Sequence, residues 1–266
     1  MNDAPDQALP ALLPDERLDE VNEQIRLIQK KQGLTFGTDA YLLAAYVRPA
    51  KNSVAVDLGS GTGIIPLLLA ARDKVGVIHA VEIQSAFAEL IERNAALNGL
   101  SKRILPRCAD VRDLKPADFG GEVDLVISNP PYMQVNSGKR NLRDEKYIAR
   151  HEVHGTVADF CAAAGRLLRY GGRFVTVLRP DRLTDQLVAM RQAGLEPKRM
   201  TFVHADAESE PCMVLTEAVK GGAPSLRMTP PLLLYLPRTD EAQSRILTPS
   251  AQAVYETCRL FYEVYF

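Results

Sequence analysis

Val54-Ala55-Val56-Asp57-Leu58-Gly59-Ser60-Gly61-Thr62-Gly63-Ile64-Ile65-Pro66 is the stretch that decides the fold. An apolar strand runs into an aspartate, then into a loop with glycine at every second position. An amphipathic helix follows, with Leu67, Leu68 and Ala71 on its apolar side. Strand, glycine-rich turn and helix in this order open a βαβ unit of an α/β fold. In open α/β sheets a ligand binds where the strands end. Glycine in such a loop permits positive φ and lets a ligand approach the backbone closely.

The spacing separates the nucleotide-type readings. A dinucleotide-binding loop needs Gly-x-Gly-x-x-Gly. Counted from Gly59 the sixth position is Ile64, and counted from Gly61 it is Pro66. No lysine follows to hold a phosphate, as a P-loop requires. Gly-x-Ser-x-Gly, the turn of a serine hydrolase, is absent. What remains is Asp-x-Gly-x-Gly-x-Gly, suited to a cofactor that carries a cation rather than a phosphate.

Further strand ends carry polar groups. The strand Gly76 to Val81 ends at Glu82, 19 residues beyond Gly63, near the spacing at which an acid takes ribose hydroxyls. A helix is expected from Ser85 to about Asn98, stopped by Gly99. Strand Arg103 to Cys108 runs into Ala109-Asp110-Val111, where Asp110 can accept from an adenine amino group. The apolar run Val123 to Ser128 ends at Asn129-Pro130-Pro131-Tyr132. There the amide oxygen of Asn129 and the carbonyl of Pro130 can accept the two hydrogens of an exocyclic amine. Tyr132 can stack on its ring, and the two prolines hold the carbonyl geometry rigid.

Bulk properties exclude several classes. The chain has 266 residues, 46% hydrophobic, with a net charge of -1, so no global nucleic-acid signature exists and a polyanion must meet a local patch. Cys108, Cys161, Cys212 and Cys258 form no C-x-x-C pair, which fits reduced thiols in a cytoplasmic protein without a metal site. No apolar run reaches the roughly 18 residues of a membrane helix. Residues 1–20 are acidic and proline-rich, lack a basic n-region and read as a flexible tail.

Around Gly33, two short apolar runs predict a small hairpin, followed by a helix through Tyr41, Leu42, Leu43 and Val47 that Thr38 or Asp39 would cap. Alternatively, Phe36 to Asp39 covers the cofactor's far end. Beyond the Pro-Pro turn, Gln134 to Arg150 carries Lys139, Arg140, Arg143, Lys146 and Arg150 against Asp144 and Glu145, with Tyr147 and His151 interleaved. Such a segment can neutralise phosphates and stack a base. The rest reads as scaffold: helices from Val157 and from Pro180, a strand Arg173 to Leu178, and a terminal antiparallel hairpin of Arg199 to His204 with Cys212 to Ala218. His79 and His204 read as strand or rim residues. Residues 21–220 are expected to form one domain, and 221–266 an extension whose Tyr262, Tyr265 and Phe266 are expected to pack on it.

Asp57 to Gly63, Glu82, Asp110 and Asn129 to Tyr132 together resemble the amino-methylating branch of class I methyltransferases. Ile28-Gln29-Lys30-Lys31 and Phe36-Gly37-Thr38-Asp39-Ala40-Tyr41-Leu42-Leu43 narrow this. The chain is similar, over roughly residues 18 to 260, to the bacterial tRNA1(Val) (adenine-37-N6)-methyltransferase family. Ala149-Arg150-His151-Glu152 resembles members from Gram-positive bacteria. Met133 stands where members place an aromatic residue, and the acidic tail matches nothing in the family.

The resemblance implies a Rossmann-like, mostly parallel seven-stranded sheet with a terminal antiparallel hairpin and helices on both faces. It implies S-adenosyl-L-methionine as cofactor, held by Asp57, Gly59, Gly61, Glu82, Asp110, Val111 and Asn129, and no metal. Asn129, Pro130 and Tyr132 would act on the acceptor, and Lys139, Arg140, Arg143 and Arg150 would meet RNA, tRNA above all. The protein would be a monomer or homodimer in the cytoplasm. Other acceptors stay open, a protein glutamine or a guanine N2 in RNA, as does a non-catalytic cofactor- and RNA-binding module. Release-factor methyltransferases share the tetrapeptide but carry a larger N-terminal helical domain. A vestigial module would show damaged motifs, and here each expected position is intact.

Overall fold

A computed structural model describes residues 11–32, 36–130, 155–237 and 244–260. Strands β1 (Glu16–Asn22) and β2 (Ile25–Lys30) form an antiparallel hairpin. Helix α1 (Thr38–Tyr46) leads to β3 (Ala50–Leu58), and α2 (Ile64–Ala71) to β4 (Val75–Glu82). Then come α3 (Ser85–Leu97), β5 (Ile104–Cys108) and β6 (Val123–Ser128). After the undescribed 131–154 follow α4 (Val157–Leu167), β7 (Leu168–Leu178), α5 (Leu183–Gln192), β8 (Leu195–His204) and β9 (Pro211–Lys220). Two short strands, β10 (Arg227–Met228) and β11 (Leu232–Leu233), and helix α6 (Pro249–Thr257) complete the described chain.

The main sheet runs β5-β4-β3-β6-β7-β9-β8, parallel except for β9, which is antiparallel to both neighbours. The expected Rossmann-like α/β architecture is therefore present. The sheet is wider than seven strands, because β10 and β11 from the C-terminal extension both pair with β8 in parallel. Strand order reverses at β3, with β4 on one side and β6 on the other, and such a switch point opens a crevice at the strand ends. Two apolar layers cover the sheet. One joins α1, α2 and α6 residues such as Leu43, Leu68 and Val254; the other joins α4 and α5 residues such as Phe160, Leu167 and Met190.

The hairpin departs from expectation. It turns at Glu23-Gln24, not at Gly33, which lies outside the described residues, and its first strand takes up Glu16 to Glu20 of the expected tail. The turn signal is Asn22, whose Oδ1 accepts from the N–H groups of Gln24 (2.9 Å) and Ile25 (3.1 Å), a local Asx bond that stands in for a glycine. The strand is polar, and tertiary contacts hold it. Arg93 of α3 grips Glu16, and its guanidinium keeps that carboxyl down at about 2. Asn94 on α3 and Asn98 just past its end bond both backbone groups of Ile28 and Arg26 in the partner strand β2, as a neighbouring strand would.

Helix α1 is buried from Ala40 to Tyr46, as expected of a helix that is apolar all round. Its last carbonyls need a donor in the core. The buried Lys74 supplies one ammonium to Ala44, Ala45 and Val47 oxygens at 2.9, 2.9 and 2.7 Å. At the other end neither Thr38 nor Asp39 is the cap. Gly37 holds that position and has no side chain to cap with. The Thr38 hydroxyl instead accepts from Tyr255 on α6, and Asp39 turns to the site described next.

Candidate active site at the strand ends

The register brings the polar strand ends to one level. Leu58 pairs with Val81 on one side and with Ser128 on the other, so Gly59, Glu82 and Asn129 follow side by side. Asp57, two residues inside this rim, is wholly buried. Its Oδ2 accepts from Ser60 Oγ at 2.6 Å, and its Oδ1 has no partner among the described residues. Burial pushes its carboxyl up to about 7; the Ser60 bond opposes that, and nearby Glu82 adds to it. An acid raised in the fold is ionised first in the unfolded chain. The ligand-free fold, which keeps Asp57 protonated, therefore loses stability against the unfolded chain as pH rises from about 4 to 7, on the order of 4 kcal/mol.

Glu82 is almost as buried, and both its oxygens hold backbone. Oε2 accepts from Gly61 N–H at 3.0 Å, and Oε1 from Gln84 N–H at 3.0 Å. The glycine loop is further tied by the N–H groups of Gly59 and Ser60 to Val81 oxygen, both at 2.9 Å. Two glycines differ in purpose. Gly61, at φ 55°, faces open space where a side chain would sit, which is a cradle. Gly63, at φ 84°, would press a Cβ to 3.2 Å from Ile91 on α3, so packing also demands glycine there. The same helix reaches the loop through Asn94, whose Nδ2 donates to Thr62 oxygen at 3.0 Å.

Asn129 is the best-defined acceptor-side group. Its Nδ2 donates to Asp39 Oδ2 at 2.8 Å across 90 residues of sequence. Its Oδ1 is buried with no partner among the described residues. Pro130 beside it is buried.

Two further residues expected at the cofactor have contacts within the chain. Asp110 is chelated by Arg112, with Oδ1 taking its N–H and Nε at 2.9 Å each, and that guanidinium holds the carboxyl below its usual range. Val111 is a core residue packed with Phe160 and its neighbours, and its carbonyl accepts from Arg166. Tyr132, Lys139, Arg140, Arg143 and Arg150 lie outside the described residues. His79 packs edge-on against Phe119, and His204 Nδ1 lies 2.8 Å from Ser209 oxygen, both in strand contacts. Asp39 is the residue that the chemical reading of the sequence underweighted. Its signal was the bare sequence Gly37-Thr38-Asp39 at a helix start, which a cap would equally explain.

Asp57 Oδ1, the space over Gly61 and the buried Glu82 fit a cationic, ribose-bearing cofactor such as S-adenosyl-L-methionine. A family model described as methyltransferase small domain matches residues 31–193. The chain belongs to that family. It is a methyltransferase, and the likeness read from its motifs is borne out by curated relatives. The tRNA1(Val) (adenine(37)-N6)-methyltransferase of Porphyromonas gingivalis is 30% identical over 201 residues, 73% of this chain and 78% of that protein. The protein of the same description from Phocaeicola vulgatus is 30% identical over 73% of this chain and 80% of its own length. Among solved structures, a "predicted O-methyltransferase" from Agrobacterium tumefaciens aligns with a TM-score of 0.66 at 22% identity, covering 84% of this chain and 98% of that one. M. jannaschii TYW2 in complex with AdoMet aligns at 0.53 and 16% identity, over 77% and 85%. These two bear on the fold alone. Among the described residues no group of three His, Cys, Asp or Glu is placed to hold a metal, and no helix is long and apolar enough to cross a membrane.

Proposed function

We propose that this methyltransferase uses S-adenosyl-L-methionine to methylate N6 of an adenine in RNA, the adenosine at position 37 of a tRNA anticodon loop. The observation that carries the reading is the buried Oδ1 of Asn129 just past β6, which has no partner among the described residues once Nδ2 is taken by Asp39. A buried acceptor needs a donor, and an exocyclic amine beside a flat ring supplies one. The curated relatives' shared description, an adenine N6 in tRNA, supports that choice over a glutamine side chain or guanine N2.

An aromatic amine is a poor nucleophile because its lone pair is delocalised into the ring. Acceptors at its two hydrogens favour the pyramidal form and so localise that lone pair. Asn129 Oδ1 and the Pro130 carbonyl would strengthen as charge develops on nitrogen, a stabilisation made mainly in the transition state. Tyr132 would stack on the base. Asp57, Glu82 and the Gly59–Gly63 loop would hold the cofactor, with Asp110 beside them once Arg112 shares it. When bound, that cofactor supplies an electrophilic methyl group on a sulfonium. Orientation of the two reactants in one crevice can contribute roughly 7–11 kcal/mol. An unpaired loop base leaves its stack for a few kcal/mol at most. Lys139, Arg140, Arg143 and Arg150 would meet the phosphates next to it. A cytoplasmic location goes with such a substrate.

The direct test incubates the protein with labelled S-adenosyl-L-methionine and RNA from a strain lacking the gene, then digests the RNA and identifies the labelled nucleoside by mass spectrometry. N6-methyladenosine at position 37 of one tRNA is the expected product. Label in protein, or in another base, would overturn the reading.

A pH dependence follows from Asp57. A cationic cofactor favours its ionised form, so binding below pH 7 must expel a proton. Affinity is expected to rise with pH, by up to about tenfold per unit, and to level off above about 7. Calorimetry at pH 5.5, 6.5 and 7.5 reads this, and Asp57→Asn should flatten the curve. A flat curve in the unaltered protein would remove Asp57 from the cofactor site.

A further inference from the structure

We propose that Asp39 is a positioning residue that fixes which end of the Asn129 amide meets the acceptor. The proposal deepens the reading of Asn129 above and rests on it. A side-chain amide has a donor end and an acceptor end of nearly equal size, and rotation by half a turn exchanges them. Only the orientation with Oδ1 toward the acceptor can take a hydrogen from an amine. An ionised carboxylate accepts and cannot donate. Asp39 therefore draws Nδ2 to itself, 2.8 Å from its Oδ2, and releases Oδ1 for the acceptor. The reverse orientation would set two acceptors against each other.

The carboxylate is itself held in place. Its other oxygen, Oδ1, accepts from Ala40 N–H at 2.9 Å in the first turn of α1, where the helix dipole favours an anion. Gly37 leaves the room it needs, since a Cβ there would lie 2.9 Å from that oxygen. The turn is pinned from both sides. Tyr255 of α6 donates to Thr38 Oγ1 at 2.9 Å, and Tyr41 donates to Val21 oxygen in the hairpin at 2.9 Å while its ring packs on Tyr255. A charged acceptor behind an amide also polarises it, which strengthens Oδ1 as an acceptor.

Four variants test this: Asp39→Ala, Gly37→Ala, Asn129→Asp and the exchange D39N/N129D. Gly37 has φ −117°, which alanine adopts without strain, so Gly37→Ala moves the carboxylate while the chain folds. Asp39→Ala is expected to lower kcat about 100-fold, with KM for RNA and cofactor affinity within about threefold, and Gly37→Ala about 10-fold. Asn129→Asp, which sets two carboxylates together, should lose about 100-fold at pH 8. The exchange returns a donor to position 39 and an acceptor to 129, and should recover at least about tenfold over Asn129→Asp alone. In ligand-free protein labelled with 15N-asparagine, the side-chain NH2 signals of Asn129 should shift in Asp39→Ala. Wild-type kcat in Asp39→Ala, no recovery in the exchange, or unmoved NH2 signals would each overturn the proposal. The NH2 signals decide the Asp39 contact whatever the acceptor, whereas a wild-type product other than N6-methyladenosine overturns the proposed function instead.

Discussion

Asn129→Ala is expected to lower the rate of methyl transfer by about a thousandfold or more while cofactor affinity stays within a few fold. Removing one pre-aimed hydrogen-bonding group from a site where charge develops typically costs 10²–10³ in kcat. Two further losses add to that here. The alanine leaves Asp39 Oδ2 without its 2.8 Å donor in a part-buried place, and the acceptor base loses a contact that orients it. Only the Pro130 carbonyl remains to localise the lone pair. Single-turnover kinetics with saturating RNA separates this from weaker binding. Turnover close to that of the unaltered protein would end the assignment of Asn129 as the group that touches the reacting amine.

Glu82→Ala is expected to weaken cofactor binding by about 100-fold or more. The carboxylate at the end of β4 has two tasks. Its oxygens satisfy the N–H groups of Gly61 and Gln84, which shapes the glycine loop, and it offers lone pairs to hydroxyls at the crevice. A carboxylate has about four acceptor sites, so both tasks can be met together. Alanine orphans two backbone donors, each worth about 1–3 kcal/mol where water cannot reach them. The measurement is the rise in Tm on adding S-adenosyl-L-methionine, which should nearly vanish, since stabilisation by a ligand follows RT ln(1 + [L]/Kd). Glu82→Gln keeps one acceptor and should fall between. An undiminished rise in Glu82→Ala would show that the loop binds the cofactor without it.

The two residues differ in how readable they were. Glu82 lies at the end of an apolar strand at a spacing tied to one βαβ unit, and the backbone it holds, Gly61 and Gln84, belongs to that same unit. Asn129 was marked by its prolines and by the strand before it. Asp39 was not separable from a helix cap, because its partner is 90 residues away and a cap would use the same residue type at the same place. Val111 is expected at the cofactor only from the family resemblance, and what the fold shows of it is a side chain packed with Phe160. The polar stretch Glu16 to Glu20 resembles a tail in sequence because what holds it is distant: Arg93 on a helix far along the chain grips Glu16, while Asn94 and Asn98 fasten the partner strand at Ile28 and Arg26.

Sequence alone determined the α/β class, the order of strands and helices from β3 to β9, the glycine loop and the acids at the strand ends. These follow from hydrophobic period and turn chemistry, which act over a few residues. Tertiary structure decided which of those groups meet. Register between β3, β4 and β6 levels Gly59, Glu82 and Asn129. The burial that lifts Asp57, and the carboxylate that turns the Asn129 amide, arise only when distant segments exclude water together. An amide has no preferred face until a neighbour supplies one, and an acid has no raised proton affinity until the core closes around it.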